Sequence, residues 1–534
     1  MSDDCDTPCD LPDDVGALKS IISEKLALLR EQELRIAVLE EQLRLAVHKR
    51  FGASSEKANP DQFRFFNEAE AVSAAPDSDA QTEITVPAHK RAKGGRKPLD
   101  PDLPRVRIEH DIAETEKLCP CGSGHIRPRI GEMVSEQADI VPARVQVLQH
   151  VRFKYGPCRV CDGVFPAGAE ASEPRAVIVA PLPSQPIPKS IASPGTCAFV
   201  VTAKYADGLP LYRLEKILAR YGLDVSRGTL AAWMIRLGDL VVPLMNLMED
   251  TQAAYDILQM DETSVQVLKE DGRAAQTKSL MWVRRGGPPD KPVILFNYAP
   301  TRSGAVAWHL TEDFKGYLQS DGYSGYDAVG KREDVIHVGC LAHARRKFDE
   351  ALKVQKKTGR GGLAAQGLAL IQKLYRVEKI AREAGMSAQA RKRLRDDKAR
   401  PVWAELRQWL DRVHRHAPPS TNIGKALTYL DNQWPNLIRV LDDGRLEVDN
   451  NLCENTIRPF VLGRKAWLFS DTPAGAEASA RLYSLIETAK ANGREPYDYL
   501  KRVFIELPKA TTLAEIEALL PWNVAPPATL SVAA

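Results

Sequence analysis

The sequence predicts a multidomain α/β protein, and three observations carry that expectation. The chain has 534 residues, too many for a single hydrophobic core, so three or more domains are expected. From about Ala254, short apolar runs bounded by turn residues read as strands: Ile257 to Met260, Leu280 to Arg284 and Val293 to Tyr298. Further strands leading to Asp321 and through Val335 to Cys340 then alternate with helical stretches. That order suits a mixed sheet layered with helices. Outside this region the apolar periodicity is mostly helical.

Composition narrows the class. Hydrophobic residues at 44% and charged residues at 27% describe an ordinary water-soluble protein. No apolar run approaches the roughly 20 residues that span a bilayer, so no membrane partner is expected. The acidic start, MSDDCDTPCDLPDD, does not read as a secretory signal. Nine cysteines, an odd number with several isolated, fit metal ligation in a reducing cytoplasm better than a disulfide framework. A net charge of +3 neither supports nor excludes nucleic acid, and local clustering has to decide.

In chain order, residues 1–58 read as an acidic tail and a leucine-rich helix. Ile22, Leu29, Ile36 and Leu43 recur every seven residues, as one seam of a coiled coil would. The second seam, Leu18, Lys25, Gln32, Leu39 and Ala46, is apolar only in part. A pairing helix is expected, against the plainer reading of an amphipathic helix packed on its own chain. Residues 59–100 read as a linker ending in a basic arm, HKRAKGGRKP, suited to phosphate neutralisation or simply to solvent.

Residues 101–178 carry a metal signal. Cys119 and Cys121 form a C-x-C pair, and Cys158 and Cys161 a C-x-x-C pair. Between them Val145 to Tyr155 reads as a strand. Soft thiolates on turns flanking β structure suit structural zinc, with His125 able to replace one ligand. Residues 179–248 read as a helix-turn-helix. Leu211, Leu214, Ile217 and Leu218 mark one helix; Gly222 suits its C-terminal cap. Ser226 suits the N-cap of a second helix carrying Leu230, Trp233, Met234 and Leu237. Arg227 and Thr229 would then stand near the end that enters a major groove. An ordinary helical hairpin has the same pattern.

Residues 249–352 and 444–495 are expected to form one α/β catalytic domain, split by a helical insertion over 353–443 and followed by a helical segment over 496–534. The stretch YDILQMDETSV ends an apolar run in Asp261 and Glu262. Asp321 follows GYLQS, and Glu454 lies in DNNLCENTIRPF on a helix expected to begin near Asp449. Three such carboxylates suit two magnesium ions about 4 Å apart, or manganese, acting on a phosphodiester. Each taken alone suits a surface acid or a helix cap equally well. Basic residues follow the acids: His343, Arg345, Arg346 and Lys347 after the second, and Arg458, Arg464 and Lys465 after the third. These are candidate phosphate contacts. Trp467 suits either base stacking or core.

Taken together these stretches resemble the transposases of the insertion-sequence 66 family. The resemblance lies in HKRFGASSEK, the paired cysteines, GLPLYRLEKILARYGLDVSRGTLAAWM, MDET, SDGYSGYD, HVGCLAHARRKF and the long block from DNNLCENTIRPF to REPYDYL. It implies a ribonuclease-H-like catalytic domain, an Asp-Asp-Glu triad at Asp261, Asp321 and Glu454, and magnesium-dependent cleavage and transfer of strands at element ends. The C-x-C spacing departs from the family's usual C-x-x-C. Glu477 and Glu487 are rival acids in the last block. Expected partners are double-stranded DNA (terminal inverted repeats and target), a second copy of the chain, and small accessory proteins of the element, in a cytoplasmic, nucleoid-associated setting. The competing readings are a non-catalytic zinc-containing DNA-binding regulator and a metal-dependent structure-specific nuclease.

Overall fold

The computed structural model describes residues 14–26, 28–29, 32, 35–36, 145–155, 178–179, 181–354 and 362–525. The four paired cysteines, His125, the basic arm, Leu39, Leu43 and Ala46 lie outside the described residues.

A five-stranded sheet organises the described chain. Strands β1 (Ile257–Gln266), β2 (Lys278–Gly286) and β3 (Val293–Ala299) form an antiparallel meander. Strands β4 (Gly316–Gln319) and β5 (Val335–Val338) run parallel to β1. The spatial order is β3-β2-β1-β4-β5. Side-chain alternation divides the sheet between two cores. Leu258, Met260, Leu280 and Trp282 join Ala307 of helix α5 (Gly304–Leu310), Phe314 and Tyr326 on one face. Met281, Val283 and Val265 face the larger helical core on the other.

That larger core is built by α1 (Pro194–Tyr205), α2 (Leu211–Arg220), α3 (Arg227–Leu240), α4 (Val242–Ala253), α11 (Asn451–Trp467), α12 (Pro473–Ala491) and α13 (Pro496–Glu506). The turn between α2 and α3 is a Schellman motif. Gly222 takes φ 84°, Leu223 N–H reaches Leu218 O at 2.9 Å, and Gly222 N–H reaches Ala219 O at 3.0 Å. Ser226 Oγ then accepts from Thr229 N–H at 3.2 Å, as an N-cap should. On α3, Leu230, Trp233, Met234 and Leu237 are buried, and Gly238 lies so close to α12 that a Cβ would meet Ala478 at 2.8 Å. Helix α12 also covers the edge strand. Phe296 N–H donates to Ser484 Oγ at 2.7 Å and Ile294 N–H to Thr488 Oγ1 at 3.0 Å, so β3 keeps no bare ladder there.

Helices α6 (Leu341–Val354), α7 (Leu363–Glu383), α8 (Ala388–Leu394), α9 (Arg400–His414) and α10 (Asn422–Leu437) fill most of the span between β5 and α11 and share a separate core. Its polar centre is Arg395, 1% exposed. Arg395 Nε and Nη2 donate to Glu378 at 2.7 and 2.9 Å, and its remaining protons go to the carbonyls of Val440, Asp443 and Leu446. The carbonyls it holds belong to the connection that enters α11.

Two expectations are corrected. Among the described residues Val145 to Tyr155 is not one strand: only Lys154–Tyr155 pairs, with Ile178–Val179. Val147, Val151 and Phe153 are 92%, 69% and 68% exposed, with no described layer against them. The first catalytic-region strand does not stop at Met260 but runs to Gln266, because β2 pairs with it through Gln266 and Lys278. Near the N-terminus, residues 15–26 are helical, and Ile22, Leu29 and Ile36 are 56%, 54% and 56% exposed. No single helix among the described residues is long and apolar enough to cross a membrane.

Candidate active site

Strand register brings the two aspartates level. The parallel ladder of β1 and β4 pairs Gln259 with Gln319, and each aspartate lies two residues further on. Asp261 is therefore interior to its own strand, opposite Val283, yet stands where its parallel neighbour ends. The ladder stops because Asp321 turns the chain: its Oδ1 accepts from Tyr323 N–H at 2.9 Å. The glutamine pair below is itself tied, Gln259 Nε2 to Gln319 Oε1 at 2.8 Å, and Gln319 Nε2 continues to Glu447 O at 2.7 Å.

The third acid arrives on α11. The helix begins at Asn451 rather than Asp449, and Asn450 is its N-cap residue without a side-chain cap bond. Asn450 instead spends Nδ2 on Met260 O at 2.8 Å and its own N–H on Cys340 Sγ at 3.2 Å. One asparagine thus fastens the start of α11 to β1, one residue before Asp261, and to the start of α6. Tyr375 OH adds a bond to Asp449 at 3.0 Å. Glu454, in the first turn, is 17% exposed at its side chain, with His343 Nδ1 at 3.7 Å from Oε1 and Arg346 Nη2 at 3.5 Å from Oε2.

The electrostatics follow from this crowding. Burial, then Glu262, Glu454 and Asp321, hold the Asp261 carboxyl well above the ordinary range. Among the described residues the Glu262 backbone N–H relieves it, donating to Oδ1 at 2.8 Å. Glu262 is different. As the next residue of a strand it points to the opposite face, where Tyr326 OH donates at 2.6 Å and Arg302 pairs with it. Burial raises its carboxyl while Tyr326 and Arg302 oppose the rise. The rival acids are engaged elsewhere: Glu487 with Lys490 at 2.9 Å, and Glu477, half-exposed, with Arg481 at 3.6 Å.

The candidate DNA contacts divide. Arg227 and Thr229 are exposed at the start of α3, with Arg227 N–H held by Glu215 at 2.9 Å. Arg458 and Lys465 are exposed on α11. Arg345 is 55% exposed and lies 3.9 Å from Asp349. Two are turned inward. His343 faces Glu454, and Arg464 donates to Thr263 Oγ1 and Ser264 Oγ of β1 at 3.1 and 3.3 Å. Trp467 packs edge-on against Phe460 at 5.5 Å, a core role. Sequence reasoning missed Asn450, Cys340 and the Gln259–Gln319 pair. The doubled asparagine before LCEN was the available signal for the first; nothing marked the others.

Sheet, register and acidic cluster define an α/β protein whose active-site candidate is a group of carboxylates gathered at strand ends and one helix. The profile described as "Transposase IS66 family" matches residues 189–478. Others match beside it: "IS66 C-terminal element" over 484–522, "zinc-finger binding domain of transposase IS66" over 116–162, and "Transposase C of IS166 homeodomain" over 38–108. Two proteins of Sinorhizobium fredii (strain NBRC 101917 / NGR234) are similar along most of the chain. The uncharacterized protein y4qI is 31% identical over 97% of this chain and 98% of its own length, and the uncharacterized protein y4jD is 32% identical over 80% and 81%. The chain belongs to the IS66 family of transposases. Its domains are those of a DNA transposase: the catalytic domain implies divalent-metal use, and the module over 116–162, which spans Cys119, Cys121, Cys158 and Cys161, implies zinc.

Proposed function

We propose that this transposase binds the terminal inverted repeats of its insertion sequence and cuts and joins DNA strands with Asp261, Asp321 and Glu454 as its catalytic carboxylates. The observation that carries the reading is the equal register of the two aspartates past Gln259 and Gln319, with the start of the helix that bears Glu454 tied by Asn450 to Met260 O at 2.8 Å, beside Asp261. Like charges gathered with so little internal compensation are costly, and cations offset that cost. The strand order β3-β2-β1-β4-β5, antiparallel then parallel, supports a ribonuclease-H-like domain.

The donors are all carboxylate oxygens, hard ligands that suit magnesium or manganese. Asp261, Asp321 and Glu454 would hold two such ions, which supply an activated water or 3′-hydroxyl and stabilise the leaving oxygen. The chain's own residues do the rest. Asn450 and the glutamine pair fix the spacing of the acids. Arg302 and Tyr326 keep Glu262 on the far face, out of competition for the ions. Arg346 stands beside Glu454, Nη2 3.5 Å from Oε2, and offers a guanidinium to a phosphate drawn there. Arg227 and Thr229 at the exposed start of α3 read the repeats, helped by the basic arm and the zinc module. The exposed seam of Ile22, Leu29 and Ile36 pairs protomers, as bringing two ends together requires. The acidic domain is one body over 249–352 and 444–495, with the helices of 353–443 as an insertion and 496–534 as a terminal segment.

Purified protein incubated with labelled element ends and a target plasmid tests the reading. Joined product in magnesium, and none with chelator, is the expected result. Tight end binding with no cut product in any divalent metal would leave a DNA-binding regulator instead, and cut ends that never join would leave a nuclease.

A further inference from the structure

A second donor set overlaps the acidic cluster. Cys340 caps the start of α6 and His343 follows three residues later, so both side chains project from the same side of its first turn. Glu454 meets them from α11. One donor atom from each of the three residues lies within 4.8 Å of the other two. Cys340 is a free, buried thiol, 1% exposed. His343 Nδ1 and Glu454 Oε1 face each other at 3.7 Å, and both atoms are buried without a hydrogen-bond partner among the described residues. Buried polar atoms are seldom left so, and an ion is one of the few things that satisfies a nitrogen and an oxygen lone pair together.

We propose that Cys340, His343 and Glu454 form a site for a thiophilic divalent ion, zinc above all, and that zinc held there inhibits the transposase by drawing Glu454 away from the two aspartates. The inhibitory half rests on the catalytic role proposed for Glu454; the binding half does not. Thiolate, imidazole and carboxylate together make a borderline-soft donor set that suits zinc and offers nothing to magnesium beyond one carboxylate. Three protein ligands leave a fourth position for water, the pattern of an open zinc site. Tetrahedral zinc bonds need donors about 3.5 Å apart, so three groups within 4.8 Å of one another draw in by about 1.3 Å at most. The ion replaces the Sγ proton, which leaves to solvent, so binding strengthens with rising pH. Asn450 N–H, 3.2 Å from Sγ, steadies the thiolate that forms.

Zinc content and zinc inhibition of the full chain test this, comparing wild type with Cys340→Ser and His343→Asn. Serine keeps the helix cap and removes the soft ligand; the histidine variant probes the site from its other side should the first fail to fold. After gel filtration from buffer containing zinc chloride, wild type should carry one more zinc per chain than either variant, above the zinc of the cysteine module. Half-inhibition of magnesium-supported end cleavage should need at least about tenfold more zinc in Cys340→Ser. Equal zinc content in all three proteins overturns the site. An extra zinc in wild type with unchanged inhibition in Cys340→Ser overturns the inhibitory role. Wild type that never cleaves, even without zinc, counts against the transposase chemistry, and zinc content alone then decides the site.

Discussion

At the residue scale, the decisive contrast is between two neighbours, Asp261 and Glu262. Alternation along β1 sends them to opposite faces: Glu454 and Asp321 raise the Asp261 carboxyl, whereas Glu262, also raised by Asp321, is held by Tyr326 and Arg302. The distinction has a testable cost. With its folded-state carboxyl titrating above the ordinary Asp value of 3.8, the folded chain binds more protons than the unfolded chain just above that pH. Stability of the metal-free protein therefore falls as pH rises through the window from 3.8 upward. Asp261→Asn removes that loss, so at neutral pH in chelator the variant should melt a few degrees above wild type while losing cleavage. A lower melting temperature would count against the crowding. Glu262→Gln should keep magnesium-dependent cleavage within about tenfold of wild type, since its partners accept a neutral amide; loss as complete as that of Asp261→Asn would show that Glu262 is a ligand. Both aspartates were legible from acidic residues ending apolar runs. Their equal level was not, because it depends on a parallel register that leaves no local trace.

At the element scale, local chemistry was readable where it is local. Gly222 and Ser226 announce the end of one helix and the start of the next, and both do so in the structure. Gly222→Ala forces a side chain into φ 84° and should cost about 1–2 kcal/mol in denaturant unfolding without moving α3's exposed end; an unchanged midpoint would contradict the cap. Strand lengths were less legible. The polar residues after Met260 read as a strand end, and only pairing with β2 keeps them extended. The stretch from Val145 to Phe153 has strand composition but no strand partner among the described residues. The helical span between β5 and α11 was read as helix from periodicity, yet its link to the active site was invisible. Arg395 looks like one cation in a basic run. Its burial against Glu378 and three carbonyls near residues 440–446 makes it the clasp of the connection entering α11. Arg395→Met should destabilise the chain by about 3–5 kcal/mol, because Glu378 keeps only Arg391 among the described residues, at 2.7 Å, and the carbonyls of Val440, Asp443 and Leu446 lose their donor. Glu378→Gln combined with Arg395→Met should cost less than the two single losses added together. Strict additivity would argue against a paired clasp.

At the scale of the whole molecule, the motifs behind the family resemblance propose Asp261, Asp321 and Glu454 as the catalytic acids, and the register of β1 and β4 is the structural argument offered for that proposal. The heptad spacing of Ile22, Leu29 and Ile36 makes the proposed assembly of the chain testable. Leu29→Glu combined with Ile22→Glu should reduce the mass measured by sedimentation to that of the single chain while the acidic domain stays folded; an unchanged mass would mean that assembly lies elsewhere. The most direct measurement of the central claim is magnesium-dependent cleavage of labelled element ends by Asp261→Asn, Asp321→Asn and Glu454→Gln, run beside an end-binding assay. Each variant should bind the ends nearly as wild type does and yield no cut product. Cleavage at the wild-type rate by any one of them would remove that residue from the active centre and contradict the account.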